Sequence, residues 1–350
     1  MTVARRRREL TLPTVVLAWF QLLPFVAVLA CGRVTDATGS PASGATDGLA
    51  SGTDASESGS LVLFGGNDYS QGMFGFSDTW AWNGSRWVEV RGNGPSARIL
   101  AAMAGLNDQV VLFGGEYDLD SNEAHDATDT WTWDGSSWTQ VAIDGPTGRE
   151  CAAVAPLDGK IVLFGGLTGG GTVLSDTWTW DGSSWTQMNV KGPTARMRAA
   201  MSPLNGKLVL FGGSQGGEGP NPPPDFADTW TWDGTVWSLL NVAGPSGRDA
   251  ATMAPLGGKL VLFGGESTDG GSFADTWTWD GTAWAQLTPP TSPPGRSSAV
   301  MATLRGEVVV FGGAGAQGAL SDTWTWNGVS WTQQASTGPP ARFNAMMASL

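Results

Sequence analysis

Apolar and polar positions repeat as one cassette, six times along the chain. Its clearest copy spans residues 149–187. Arg149 leads a stretch of small apolar residues. Ile161-Val162-Leu163-Phe164 then forms an apolar run closed by Gly165-Gly166. Asp176-Thr177-Trp178-Thr179-Trp180 alternates polar and aromatic, followed by Asp181-Gly182 and Trp185. Short apolar runs bounded by Gly predict buried strands, and strict alternation predicts a strand with one packed face. Gly-Gly pairs begin at Gly65, Gly114, Gly165, Gly212, Gly264 and Gly312, roughly 47 to 52 residues apart. A period of that length built from strands predicts a closed array of small sheets.

Each alternating strand runs into Asn83-Gly84, Asp134-Gly135, Asp181-Gly182, Asp233-Gly234, Asp280-Gly281 or Asn327-Gly328. Such dipeptides predict two-residue hairpin turns of type I′, whose central positions need positive φ. That register sets Trp131 opposite Trp138 and Trp133 opposite Ser136. Trp131 and Trp133 are two apart and share a face, so all three tryptophans fall on one face. Because every cassette carries them, they are expected to fill the gaps between neighbouring sheets.

The cassette supplies four strand types: an Arg-led strand, the Gly-Gly strand, the Trp-Thr-Trp strand and a last strand opened by Trp. Arg98, Arg149, Arg196, Arg248, Arg296 and Arg342 lead the first type. The copies are out of phase with the chain ends. The first begins at its second strand, and the chain ends after an isolated Arg-led strand, residues 342–350. Pairing that strand with Leu61 to Gly66 closes the ring and leaves no open edge. The expected fold is all-β: a six-bladed β-propeller of four-stranded antiparallel blades, closed by the C-terminal strand. Ala pairs such as Ala152-Ala153 and Ala199-Ala200 place the Arg-led strands innermost, where space is least. Met103, Met201, Met253, Met301 and Met347 recur there as gap-fillers.

The aliphatic strand ending in Gly-Gly, the aromatic strand after it and the Trp beyond resemble kelch repeats over roughly Leu61 to Leu350. The use of Trp-Thr-Trp on the third strand departs from the common kelch pattern. The resemblance implies a propeller of four-stranded blades. It implies no single function, because kelch propellers serve as protein-binding platforms, as parts of oxidases and as lectin-like modules.

Residues 1–30 read as a signal peptide. Arg5 to Arg8 form a basic segment, and Leu12 to Ala30 are nearly all apolar. Val28-Leu29-Ala30-Cys31 resembles a bacterial lipobox, which implies lipidation of Cys31. Residue 32 is Gly rather than Asp, which in that resemblance implies outer-membrane sorting in a Gram-negative cell. A retained anchor or a plain signal peptide is the alternative. Residues 31–59 carry the lipidated Cys31 and a Gly, Ser, Ala, Thr and Asp tether too polar to order itself. Its reach is on the order of 30 Å at ~5–6 Å per root residue. Residues 60–350 are the propeller. With Cys31 on lipid, Cys151 has no partner and is expected to be a buried, inert thiol.

A formal charge of −13 argues against nucleic acid as a partner. The expected partner is a protein or a glycan at the cell surface, with membrane contact through the lipid alone. The loops from second to third strand vary among copies, and variable loops on a rigid scaffold are where binding concentrates. The only two tyrosines, Tyr69 and Tyr117, lie in them. Glu116, Asp126 and the sole histidine, His125, join them as candidate ligand-binding residues. Asp118, Asp120 and Asn122, with Asp129, have the spacing of calcium-ligating oxygens. Glu123 stands where such a loop needs Gly, and a solvated acidic loop is the plainer reading. The six arginines, six aspartates beside them (Asp78, Asp129, Asp176, Asp228, Asp275, Asp322), suggest either a structural Arg–Asp network or a basic ring at the channel mouth that grips an acidic ligand.

The best-known enzyme of this resemblance, galactose oxidase, holds copper with histidines and tyrosines and carries a Tyr–Cys cross-link. One His, two Tyr and one free Cys do not assemble that set. No nucleophile–base arrangement, zinc spacing or phosphate loop is present. No catalytic residue and no cofactor are therefore expected. The reading is a non-enzymatic binding platform at the cell envelope. The alternatives are a surface glycan-binding module and a carboxylate-based hydrolase.

Overall fold

The computed structural model describes residues 59–68, 75–117, 125–216, 222–335 and 337–350. Six four-stranded antiparallel sheets form the blades, and none of the described residues is helical. Blade 2 runs from inside to outside through Ala102–Leu106, Gln109–Phe113, Thr130–Trp133 and Trp138–Val141. Blades 3 to 6 repeat this order from inner strands Ala153–Leu157, Ala200–Leu204, Thr252–Leu256 and Val300–Leu304. Blade 1 takes its inner strand, Met346–Ser349, from the C-terminus. Leu61 opposes Ser349, and Phe64 opposes Met346. Each inner strand packs against those of both neighbouring blades, and blade 1 meets blades 2 and 6, so the propeller is closed.

The hairpin register differs from the two-residue expectation. Trp133 opposes Trp138, and Trp131 opposes Gln140. The loop therefore holds four residues, Asp134 to Ser137. Only its glycine takes positive φ, 97° at Gly135. Asp134 Oδ1 instead accepts the backbone N–H groups of Ser136 and Ser137, each at 2.8 Å. The acceptor side chain offers the chain an alternative to a type I′ turn. The other five loops repeat this capping. The three tryptophans still share a face, because Trp133 and Trp138 are directly opposite and Trp131 is two residues from Trp133.

That face builds the joints between blades. Trp133 and Trp138 of blade 2 pack on Val62 and Phe64 of blade 1, and Trp82 and Trp87 of blade 1 pack on Val309 and Phe311 of blade 6. The last Trp of each blade donates its indole N–H to a Thr hydroxyl of the blade before. Trp138 reaches Thr79 at 3.0 Å, and Trp87 reaches Thr323 at 2.9 Å. The first Trp is only half-buried and donates to the Asp two residues earlier, as Trp131 does to Asp129 at 2.6 Å. The middle Trp is wholly buried, and in Trp82, Trp180 and Trp232 its N–H has no acceptor. An orphaned donor costs about 1–3 kcal/mol, which the burial of a whole indole offsets.

The Gly-Gly pairs are a second joint. Gly66 N–H donates to the Arg98 carbonyl of blade 2 at 3.1 Å. Gly65 and Gly66 adopt φ of 68° and 91°, and a Cβ on Gly65 would lie 2.5 Å from the Arg98 carbonyl oxygen. Close approach and positive φ together exclude any other residue there.

Candidate functional site

The arginines expected to ring the channel mouth do not line it. Their side chains are at most 2% exposed, and each clamps the Asp of its own blade. In blade 2, Arg98 Nη1 and Nη2 donate to Asp129 Oδ1 and Oδ2 at 2.6 and 3.1 Å. Nη1 also donates to the Gly114 carbonyl and Nε to that of Ser96. Arg98 thereby ties the entry to the inner strand to the ends of the second and third strands. The network reading of these residues holds, and the basic ring does not form. Asp129 is also removed from the calcium set, because Arg98 and Trp131 occupy both its carboxylate oxygens. Among the described residues no cluster of His, Cys, Asp or Glu is arranged to hold a metal.

Two residues beyond each Arg, the chain turns toward the axis. Leu100, Cys151, Arg198, Ala250, Ser298 and Asn344 all take φ between 50° and 58°. The N–H of each donates to the carbonyl of its counterpart in the preceding blade, from Cys151 to Leu100 at 2.9 Å round to Leu100 onto Asn344 at 3.0 Å. Left-handed conformations of non-glycine residues cost of order 1–3 kcal/mol each; the unbroken circle of hydrogen bonds holds them. This collar and the alanines after it line an axial pocket of about 150 Å³.

Around the collar the loop face is acidic. Glu116–Tyr117 pairs on one side with Arg98–Ile99 and on the other with His125–Asp126. The sheet thus brings together Glu116, Tyr117, His125 and Asp126, as the sequence suggested. The Tyr117 and His125 rings lie 5.8 Å apart. Tyr69, Asp118, Asp120, Asn122 and Cys31 lie outside the described residues.

The structure adds residues that sequence reasoning missed. Glu150 of blade 3 meets Glu116 of blade 2, and burial followed by the Glu116 charge pushes its carboxyl up to about 8. Burial also raises Glu116 and Asp126, with the Asp126 charge adding to Glu116. Asp126 additionally accepts the Gly169 N–H of the neighbouring blade's loop. In blade 5, burial raises Asp249 to about 7, against the pull of Arg198 and with the push of Glu266. Arg198 Nη1 stands 3.6 Å from Glu266. Burial pushes the Cys151 thiol up to about 12, which keeps it unreactive. Glu150 Oε2, Asp126 Oδ1, Asn344 Oδ1 and Arg198 Nε are buried without hydrogen-bond partners. The available signal was position: each stands one or two residues after the repeated Arg, or just after Gly-Gly, where the copies differ.

This arrangement offers hydrogen-bond acceptors, carboxyl groups raised by burial and half-buried rings on a rigid frame. It suits recognition. The His125 and Tyr117 rings are tilted by 36° to one another.

The sequence profile of the KLHDC2/KLHL20/DRC7 Kelch-repeats domain matches residues 35–213 and 201–349. No curated protein matches the chain. Kelch repeats commonly serve as protein-interaction platforms, which agrees with a non-enzymatic role. Blades of four strands, joints of Gly-Gly and Trp, and a profile match over most of the chain lead to one conclusion: the chain belongs to the kelch-repeat family and folds as a kelch β-propeller.

Proposed function

We propose that the chain is a non-enzymatic protein-binding platform at the bacterial cell envelope, held by a lipid on Cys31 and, in a Gram-negative cell, in the outer membrane. The partner engages the loop face around Tyr117, His125, Glu116 and Asp126, with Tyr69 contributing from its own loop. The observation that carries this reading is the extra sheet of blade 2, which lifts a Tyr–His ring pair beside an acidic cluster. Elsewhere the repeated residues are consumed by packing and clamps. Aromatic side chains that are partly accessible are common anchors of protein recognition.

The test is affinity capture from envelope extract with the parent chain and with Tyr117→Ala, run beside a glycan array. The reading expects a protein retained by the parent and weakened by Tyr117→Ala. Glycan binding without a retained protein would replace it with the glycan-binding alternative. For calcium, Asp118, Asp120 and Asn122 remain the proposed ligands. Calorimetry at millimolar calcium on the parent and Asp118→Ala decides that point, and an absence of heat removes the ion. Cys31→Ser should release the chain from membranes.

A further inference from the structure

In three blades, the residue two positions before the clamping Asp covers the guanidinium of that blade's Arg. Phe226 covers Arg196 and Phe273 covers Arg248, each with the guanidinium carbon 3.8 Å from the ring centre, and Phe76 covers Arg342 at 4.1 Å. Leu174 and Leu320 occupy the position in blades 3 and 6. In blade 2 the residue is Ala127. The backbone there is unchanged. Ala127 N–H donates to the Gly115 carbonyl at 2.8 Å, as Phe226 N–H donates to Gly213 and Phe273 N–H to Gly265. Arg98 keeps the same clamp on Asp129. Only the side chain is missing.

A pocket of about 290 Å³ stands in that place, lined by Ser96, Arg98, Tyr117, Ala127, Thr128 and Asp129. Arg98 and Ala127 are its buried members; Ser96 and Thr128 are exposed. The volume lies just below the ~300–1,000 Å³ of sites for drug-sized ligands. It has room for one aromatic side chain. Its chemistry is set by a planar cation, a tyrosine ring and a methyl group, with hydroxyl and carboxylate oxygens at the edge. A planar cation and an aromatic face attract one another, and the Phe rings of blades 1, 4 and 5 show the geometry within this same molecule.

We propose that this pocket is a recognition subsite that receives an aromatic side chain from a protein partner, which completes in trans the lid that other blades supply in cis. The inference rests on the loop face being a protein-binding surface and names the side chain that surface takes. Tyr117 is the wall, Arg98 and Ala127 are the base, and the exposed Thr128 hydroxyl is the acceptor for a phenol or indole that reaches the edge. Phe, Tyr or Trp fits; an acidic side chain does not, because Asp129 faces it.

The probe is N-acetyl-L-phenylalaninamide, and the readout is saturation transfer in NMR from the full chain. Ala127→Phe fills the pocket with the residue its sister blades use, and Ala127→Leu copies blades 3 and 6, so one variant serves if the other fails to fold. Phe226→Ala opens the equivalent space in blade 4. The proposal expects transfer to the probe with the parent, at least a tenfold loss with Ala127→Phe or Ala127→Leu, and added transfer with Phe226→Ala. Absent transfer in the parent, or equal transfer in parent and filled variants, overturns it. Capture of the envelope partner is measured separately on the same variants. A partner held by Ala127→Phe as tightly as by the parent also overturns the subsite, while leaving the platform reading intact. Failure of the parent to capture any protein counts against the platform reading, with the probe result still deciding the pocket.

Discussion

Arg342 and Asp78 are 264 residues apart in the chain, and their side chains meet at 2.6 Å. The second pair of this bidentate clamp is 2.8 Å long, and Arg342 Nη1 also holds the Gly65 carbonyl at 3.0 Å. The same clamp occurs within continuous chain in the other five blades. Here it locks the C-terminal strand onto the first blade. Arg342→Ala leaves the partly buried Asp78 unpaired, and the expected loss is about 3–5 kcal/mol in urea denaturation. Arg91→Ala, which removes an exposed pair with Glu89 at 3.7 Å, should change stability by less than about 0.5 kcal/mol.

The clamps also set the acid limit of the fold. Burial alone would raise the Asp78 carboxyl, but the hydrogen bond and charge of Arg342 outweigh it and lower the group below its ordinary value. Its counterparts at Asp129, Asp176, Asp228, Asp275 and Asp322 shift the same way. A carboxyl depressed in the folded state contributes stability that is present above its unfolded value, about 3.9, and lost as pH falls through the folded value. Unfolding midpoints followed downward from pH 6 should hold until about pH 4 and then drop steeply. Asp78→Asn should be less stable at neutral pH and show a shallower drop.

Glu150 acts with the opposite sign. Its carboxyl rises to about 8 in the folded protein, so the folded state binds a proton that the unfolded state has released. Stability from this group therefore declines as pH rises from the ordinary Glu value toward 8. Glu150→Gln should melt higher than the parent at pH 8 to 9, with the gap closing toward pH 5. A gap independent of pH would mean that Glu150 is ionised throughout.

The tryptophans separate packing from hydrogen bonding. Trp138→Phe keeps a ring between blades 1 and 2 and loses the bond to Thr79; the expected cost is about 1 kcal/mol plus a small packing term. Trp133→Ala empties a site only 3% exposed, and its expected cost is about 3–5 kcal/mol. Thermal denaturation of the two variants under one condition reads the difference.

The architecture was legible because its signals are redundant. Six Gly-Gly pairs, six aromatic strands and the stray Arg342 strand each point to a closed ring. The hairpin register was not legible from Asp134-Gly135 alone: Asp134 uses its own side chain to cap two following N–H groups, and that choice is visible only when the opposing strand is seen. The channel mouth was hidden for a similar reason. The Arg-led stretch reads as one strand, yet the left-handed residue at Cys151 or Arg198 breaks it and turns the following positions toward the axis. Glu116, Tyr117, His125 and Asp126 were legible as a group because they interrupt the repeat. Ala127 interrupts it too, but a missing ring is seen only against its sister blades.

Hydrogen exchange of the full chain, alone and with the partner captured from envelope extract, tests the central claim most directly. The account predicts that protection concentrates on the loop face, in the backbone of Glu116–Tyr117 and His125–Asp126 and at Glu150 beside them. Protection confined to the opposite face, at the capped turns Asp134 to Ser137 and Asp181 to Ser184, would contradict it.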